Sequence, residues 1–83
     1  MENRKIVMYG GTWCGDCRRA KRFFDQHKIQ YKWVDLDNDD EGLDYVKRLN
    51  NGRRIIPTIV FSDGSILVEP TDAQLAEKLS IGL

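Results

Sequence analysis

The sequence has no excess of charge of either sign, because thirteen Lys and Arg residues balance thirteen Asp and Glu residues in a chain of 83. Nucleic-acid binders that rely on bulk electrostatics need a basic surplus, so this balance argues against that class. Hydrophobic runs are only a few residues long, whereas a membrane-spanning helix needs about 20 apolar residues. The composition therefore predicts neither a nucleic-acid partner nor a membrane partner.

Cysteine is also scarce, and the two cysteines, Cys14 and Cys17, lie three positions apart. A disulfide across so short a loop restricts the unfolded chain very little, so the pair cannot serve as a structural cross-link. A domain of this length buries only about 60–65% of the surface that it exposes when unfolded, which predicts modest stability. The cysteine pair is therefore expected to have a chemical role.

The first five residues, MENRK, lack the apolar stretch and the cleavage site of a secretory signal, which favours a cytoplasmic location. In that reducing compartment a Cys-x-x-Cys motif is more often catalytic or metal-binding than structural. Since no repeat or linker divides the chain, we expect one domain over residues 1–83.

The pattern of apolar residues predicts three helices. The first runs from about residue 14 to residue 27, where apolar side chains recur at helical spacing. The second is opened by the acidic run at residues 37–41, whose carboxylates suit the positive end of a helix dipole, and it ends near residues 50–52. The third begins at Thr71, which has the spacing of a capping box with Gln74.

Four strands are predicted around these helices, at residues 5–9, 30–36, 58–61 and 66–68. The first two strands are joined through a helix and should be parallel neighbours. The dipeptide Asp63-Gly64 is a strong hairpin signal, so the last two strands should be antiparallel. The predicted fold is α/β, with the order β-α-β-α-β-β-α and a mixed four-stranded sheet flanked by three helices.

The motif Trp13-Cys14-Gly15-Asp16-Cys17 joins the first strand to the first helix. The thiolate is the nucleophilic form of cysteine, and the unpaired N–H groups at a helix start stabilise it. Cys14 is therefore predicted to be the nucleophile. Cys17 follows one helical turn later on the same face and is expected to be buried, so it can resolve a mixed disulfide formed on Cys14.

A Cys-x-x-Cys pair can also bind metal or be chemically inert. It could be half of a zinc site, but structural zinc sites use four ligands and the only histidine is His27. It could also be two buried cysteines without chemistry, although Cys-x-x-Cys in a β-α-β context favours a redox role, and no metal site is predicted. Asp16 is predicted to tune the acidity of the Cys14 thiol through its charge, or simply to favour the first helical turn.

An ordered set of motifs extends over nearly the whole chain: the cysteine motif, IIPT at residues 55–58, and DGS at residues 63–65 ahead of Pro70. Together these motifs resemble the glutaredoxin family, and its mycoredoxin-like branch in particular. The resemblance implies a thioredoxin-like fold and a thiol–disulfide oxidoreductase. It also implies that Pro57 is cis and lies against the cysteines, and that Ile56 offers its backbone groups to the substrate.

The resemblance further implies residues that bind a small thiol. Arg53 or Arg54 would bind one of its carboxylates, although the sequence does not decide between them and both could simply be solvated. Thr71 and Asp72 would bind another end of the thiol, and helix capping accounts for Thr71 equally well. Trp13, beside the nucleophile, is either an exposed contact for a partner or a half-buried packing residue.

Glutathione-using members commonly carry a lysine where this chain has Gly11, and a Gly-Gly pair where it has Glu69-Pro70, a pattern that fits mycoredoxin-like relatives. The resemblance implies no tightly bound cofactor, with mycothiol or glutathione as the candidate co-substrate. The expected partners are disulfide-bearing proteins or small-thiol mixed disulfides, with a flavin reductase system upstream, and the chain is expected to be a monomer. The alternatives are a protein that shares an iron–sulfur cluster across a dimer, and an electron donor dedicated to one enzyme such as ribonucleotide reductase.

Overall fold

A computed structural model describes residues 6–82, and within them the chain forms four strands and three helices in the predicted order. Numbered along the chain, these elements are β1 (Ile6–Gly10), α1 (Gly15–Gln26), β2 (Tyr31–Asp35), α2 (Asp40–Leu49), β3 (Thr58–Val60), β4 (Ile66–Val68) and α3 (Asp72–Leu79).

The strands form one mixed sheet in the order β2-β1-β3-β4. β1 and β2 are parallel, as expected for strands joined through a helix, and β3 pairs antiparallel with both β1 and β4. The predicted mixed sheet is therefore confirmed. Because β1 is a central strand, the cysteine loop that follows it leaves from the middle of the sheet.

The ends of the parallel strands differ slightly from the prediction. The sequence pattern ends β1 before Gly10, yet Gly10 is paired with Asp35, and its carbonyl accepts the Leu36 N–H at 2.9 Å. β2 is one residue shorter at each end than the predicted range 30–36. The predicted start of β1 at Lys5 lies outside the described residues.

The β3–β4 hairpin has the predicted turn but a shorter first strand. β3 ends at Val60. The N–H of the next residue, Phe61, bonds the Ser65 carbonyl at 2.8 Å and closes the turn. Gly64 has a φ of 88°, a conformation that favours glycine, and its N–H bonds the Phe61 carbonyl at 2.9 Å. Asp63 stabilises the turn by accepting the Ser65 N–H at 2.9 Å.

Each helix begins at a side chain that accepts a backbone N–H of its own first turn. These capping residues are Cys14 for α1, Asp39 for α2 and Thr71 for α3. Asp39 Oδ1 accepts the Gly42 N–H at 2.8 Å, so the acidic run at residues 37–41 does open α2, as predicted.

Hydrophobic side chains form a cluster on each face of the sheet. The smaller cluster packs α2 against β2 through Val34, Leu36 and Val46. None of the described helices is long and apolar enough to cross a membrane. The larger cluster packs α1 and α3 against the other face and contains Ile6, Met8, Ala20, Phe23, Phe24, Ile59, Phe61, Leu75 and Ala76.

Candidate active site

Cys14, the predicted nucleophile, caps the amino end of α1. Its Sγ accepts a hydrogen bond from the Cys17 N–H at 3.2 Å. Its own N–H bonds the Gly11 carbonyl at 3.4 Å, and its carbonyl accepts the Arg18 N–H at 3.1 Å. The residue is half-buried, and its sulfur lies at the positive end of the helix.

Cys17 lies one turn further along α1 and is fully buried. Burial raises the pKa of its thiol to about 12, and a hydrogen bond with the Cys14 side chain acts in the same direction. The Gly11 N–H donates to the Cys17 sulfur and opposes this rise. Both cysteines are free thiols, Cys14 half-buried and Cys17 fully buried.

Gly10 gives the buried sulfur room against the sheet. A Cβ at this position would lie 2.5 Å from Cys17 Sγ and 2.9 Å from Cη2 of Trp33. Both distances are too short for real contacts, so any side chain here would displace the sulfur or the ring. Sequence reasoning treated Gly10 only as the end of a strand, since the contact depends on tertiary structure.

The loop that precedes β3 carries the predicted cis proline, and the Ile56–Pro57 bond is indeed cis. Pro57 is buried, and its carbonyl accepts the Glu69 N–H at 2.9 Å. Within residues 6–82, no hydrogen bond engages the N–H or the carbonyl of Ile56. Ile56 Cδ1 lies 3.4 Å from where a Cβ of Gly11 would stand, so this segment packs beside the loop that leads to Cys14.

The two arginines that precede this segment occupy different places. Arg54 Nη2 lies 3.1 Å from Asp37 Oδ1 and 3.7 Å from the Cβ position of Gly11. Arg53 is exposed, and its backbone N–H bonds the Asn50 carbonyl at 3.1 Å in the turn after α2. Arg54 is therefore the one whose guanidinium lies beside the active-site loop.

Arg19 connects the amino ends of α1 and α3. Its guanidinium lies 3.3 Å from Asp16 Oδ1 and 3.8 Å from Asp72 Oδ1, and it donates to the Pro70 carbonyl at 3.3 Å. The negative charge of Asp16 is thus partly balanced by its own neighbour. The sequence analysis missed this bridge, because the contact spans 51 positions.

Thr71 and Trp13, two other predicted site residues, differ in how freely their side chains can meet a substrate. Thr71 Oγ1 accepts the Gln74 N–H at 3.1 Å, and Gln74 Oε1 accepts the Thr71 N–H at 2.8 Å, so the predicted capping box is confirmed. Trp13 is 88% exposed, which rules out the half-buried packing alternative.

In the described part of the chain, no three His, Cys, Asp or Glu side chains come together as metal ligands. His27 lies at the far end of α1 from the cysteines, with its ring centroid 4.4 Å from that of Phe23. The histidine that entered the zinc alternative is therefore an aromatic packing residue.

A cavity of about 480 Å³ lies away from the cysteines. It opens where α1 ends and β2 begins. The start of β2 lies beside the start of β1 in the parallel pair, whereas Cys14 follows the end of β1. The cavity therefore takes no part in the thiol site, and its lining consists of Phe24, Asp25, Lys28, Ile29, Gln30 and Tyr31.

A Cys-x-x-Cys pair at the start of α1, a cis proline ahead of β3 and this mixed sheet together define a thiol–disulfide oxidoreductase of thioredoxin-like fold. Comparison with known proteins then identifies the family. The family model for glutaredoxin matches residues 6–66, and the chain belongs to the glutaredoxin family.

Relatives of similar length support this assignment. A Mycobacterium tuberculosis protein classed as a glutaredoxin is 34% identical over 74 residues, which cover 89% of this chain and 88% of that protein. Mycoredoxin 1 of Corynebacterium glutamicum is also 34% identical over 74 residues, covering 89% of this chain and 91% of that protein. The resemblance to mycoredoxin-like glutaredoxins is therefore confirmed.

Solved structures agree with the fold. A thioredoxin-like protein superposes with a TM-score of 0.83 at 22% identity, covering 96% of this chain and all of that one. The Methanosarcina acetivorans methanoredoxin superposes with a TM-score of 0.77 at 25% identity, covering 93% of this chain and 85% of that one. The thioredoxin-like architecture predicted from the sequence is confirmed.

Proposed function

We propose that this glutaredoxin reduces protein disulfides and mixed disulfides with a small thiol, using Cys14 as the nucleophile and Cys17 as the resolving residue. One observation carries the proposal: the sulfur of half-buried Cys14 caps α1 and accepts the backbone N–H of fully buried Cys17, one turn further along the helix. A thiol placed in this way can attack an incoming disulfide, and its neighbour can then attack the product.

The reaction proceeds in two exchanges. The Cys14 thiolate attacks one sulfur of the substrate disulfide, so a mixed disulfide forms on Cys14 and the other substrate sulfur leaves as a thiolate. Cys17 then gives its proton to water and attacks the Cys14 sulfur, which releases the second substrate thiolate. The substrate gains two electrons, the enzyme keeps a Cys14–Cys17 disulfide, and solvent protonates the released thiolates.

Groups around Cys14 support binding of a small thiol that carries carboxylates. The N–H and carbonyl of Ile56, next to Pro57, have no hydrogen-bond partner among residues 6–82 and can pair with an extended backbone. Arg54 lies beside the loop and supplies the cation for a carboxylate, whereas no contact with the described residues holds the Arg53 guanidinium in place.

The amino end of α3, at Thr71 and Asp72, and exposed Trp13 complete the proposed contact surface for the substrate. The similarity to Mycoredoxin 1 makes mycothiol a candidate small thiol beside glutathione. Glutathione carries carboxylates that Arg54 would bind, whereas mycothiol has none and would be held through its hydroxyl and amide groups.

Asp16 is proposed to moderate the reactivity of Cys14 through its negative charge. Its ion pair with Arg19 at 3.3 Å, in a half-exposed setting, limits this effect. We therefore expect Asp16→Asn to raise the rate of Cys14 alkylation by iodoacetamide at neutral pH about two- to threefold. An unchanged or lower alkylation rate would exclude tuning and leave Asp16 as a residue of the first helical turn.

The cellular setting follows from the same proposal. The protein would work as one domain and as a monomer in the cytoplasm, with its Cys14–Cys17 disulfide reduced again by a small thiol that a flavin reductase system keeps reduced. The nearly full-length match to Mycoredoxin 1, a chain of similar size, supports one domain. A colourless, monomeric preparation that reduces a small-thiol mixed disulfide would disfavour the iron–sulfur alternative.

Trapping experiments test the assignment of the two cysteines. Cys14→Ser should abolish turnover, whereas Cys17→Ser should accumulate a mixed disulfide whose added mass identifies the bound thiol or protein. Retained turnover in Cys14→Ser would overturn the nucleophile assignment. Full activity of Cys17→Ser on small-thiol mixed disulfides would show that the second cysteine is dispensable and that a one-cysteine route operates.

A further inference from the structure

Lys21 is a charged residue of α1 that the steps above do not use. It follows Cys17 by one helical turn, and residues at this spacing share a helix face, with about 5–6 Å between their Cβ atoms. Its Nζ lies 3.5 Å from the ring centroid of Trp33 on β2. A cation over an indole face is held there by the electron-rich ring, so this ammonium has a defined position.

An edge of the same indole ring lies near the buried Cys17 sulfur. Measured from the Cβ position of Gly10, Cη2 and Cζ3 of Trp33 lie at 2.9 and 3.0 Å and Cys17 Sγ at 2.5 Å. The ring edge and the sulfur therefore share the space over Gly10. The resolving sulfur and the indole edge thus lie around one point above Gly10, and the Lys21 ammonium lies over the same indole.

We propose that Lys21, held by Trp33, is a positioning residue whose fixed positive charge favours the Cys17 thiolate during the second exchange. This inference rests on the proposed dithiol function and deepens it. It assigns a role in resolution to a helix residue outside the Cys-x-x-Cys motif.

The second exchange needs such help, because Cys17 must lose a proton in a buried place. Burial and the Cys14 side chain both disfavour its thiolate, while the Gly11 N–H and the Lys21 charge favour it. Cys14 and Lys21 are the titratable groups that act on Cys17 among the described residues. Once Cys14 is bonded to the substrate in a mixed disulfide, Lys21 remains as the charged group that assists ionisation of the Cys17 thiol.

The chemistry leaves Lys21 unchanged. Cys17 loses its proton to water, its sulfur bonds the Cys14 sulfur, and the bond from Cys14 to the substrate sulfur breaks. The leaving thiolate takes the electron pair and is protonated by solvent. Lys21 keeps its proton throughout and lowers only the cost of forming the Cys17 thiolate.

Stopped-flow reaction of the reduced protein with excess 5,5′-dithiobis(2-nitrobenzoate) separates the two exchanges. The first coloured thiolate is released by Cys14 at a rate that depends on reagent concentration. The second is released when Cys17 resolves the adduct, at a rate that does not depend on concentration. Cys17→Ser should lack the second phase.

Lys21→Met should slow the second phase about three- to tenfold at neutral pH and move the midpoint of its pH profile up by about 0.5–1 unit, with the first phase unchanged. Lys21→Arg keeps the charge, so it should show the wild-type rate of the second phase and the wild-type midpoint of its pH profile. Arg22→Met removes an exposed cation from the same helix and should leave both phases as they are. Trp33→Phe, which holds a cation less strongly, should give an intermediate rate.

Three results would overturn the inference: a second phase unaffected by Lys21→Met, equal slowing by Arg22→Met, or equal slowing of both phases. If Lys21→Met fails to fold, Lys21→Gln gives the same comparison. If Cys17→Ser keeps the second phase, the dithiol function itself fails. A second phase that depends on Cys17 but is unchanged by substitution of Lys21 would overturn only the proposed role of Lys21.

Discussion

Gly10 leaves the space in which the buried Cys17 sulfur and the Trp33 ring meet the sheet. At the scale of single residues, the site depends as much on such a missing side chain as on the groups that react. Charge makes the same point. Arg53 and Arg54 are adjacent and identical, yet of the two only the Arg54 guanidinium forms an ion pair with a described residue.

Gly10→Ala should therefore weaken both stability and resolution. The added methyl group would displace Cys17 Sγ or Trp33, and overpacking of this kind costs about 1–3 kcal/mol. Urea unfolding of the reduced protein measures the loss, and the second phase of the disulfide reaction should slow as well. Gly82→Ala is the control, because a Cβ there meets no atom of the described residues within 4 Å. Equal stability of the two variants would show that the sulfur has more room than the structure indicates.

Arg54→Gln should raise the KM for a mixed disulfide with glutathione, a thiol that carries carboxylates, about three- to tenfold with little change in kcat. The reason is the loss of a charge-assisted hydrogen bond to a substrate carboxylate at an exposed site, a difference of about 1 kcal/mol. Arg53→Gln is the matched control and should stay within twofold, since the Arg53 guanidinium forms no ion pair or hydrogen bond with the described residues. A larger effect from Arg53→Gln would reverse the assignment.

At the scale of helices and strands, the amino ends of α1 and α3 are brought together by Arg19, which contacts Asp16, Asp72 and the Pro70 carbonyl. Two helix starts thus border the thiol site. Each start has its own cap, a thiol on α1 and the Thr71 hydroxyl on α3.

Thr71→Ala should remove the capping box of α3 and cost about 1 kcal/mol of unfolding free energy. We also expect the KM for a small-thiol mixed disulfide to rise about threefold, because a frayed first turn offers its N–H groups less regularly. Asp39→Ala removes the cap of α2, whose N–H groups are not part of the proposed substrate surface, and should cost similar stability without changing KM. If both variants raised KM equally, general destabilisation would account for the effect.

Elements were predictable from the sequence where local chemistry decides them. The capping box at Thr71, the Asp63-Gly64 turn and the apolar spacing of α1 depend on residues within a few positions, and all three are present in the structure. Strand ends were less predictable, because a residue such as Gly10 belongs to β1 only through its pairing with β2.

The parts of the site that escaped prediction are contacts between distant elements. Arg19 contacts Asp72 and the Pro70 carbonyl, which lie more than 50 positions away. Lys21 on α1 contacts the ring of Trp33 on β2. No pattern along the chain distinguishes these residues from other exposed cations. The cis bond at Pro57 was expected from the family resemblance and not from the residues themselves.

At the scale of the whole molecule, the cysteine pair lies where α1 leaves the centre of the sheet, and its buried member is part of the folded interior. The ionisation of Cys17 is therefore linked to folding. A thiol with a raised pKa in the folded state keeps its proton over a pH range in which the unfolded chain has already lost it.

The reduced protein should consequently lose stability in alkali. The pKa of Cys17 rises from 9.0 to about 12 on folding, mainly through burial. Below pH 9 both states hold the proton, and stability is unaffected by this group. Between pH 9 and 12 the unfolded state binds fewer protons, so the free energy of unfolding falls as pH rises, by at most about 1.4 kcal/mol per unit.

Two tyrosines titrate in the same direction, because burial also raises the pKa of Tyr9 and Tyr31. The contribution of Cys17 is therefore the difference in slope between the wild type and Cys17→Ala, measured by urea unfolding under reductant from pH 7 to 11. Cys14→Ser should keep most of the wild-type slope, since the burial of Cys17 persists. Equal slopes for wild type and Cys17→Ala would mean that the Cys17 thiol ionises as readily in the folded protein as in the unfolded chain, and the case for an assisting charge at Lys21 would lose its premise.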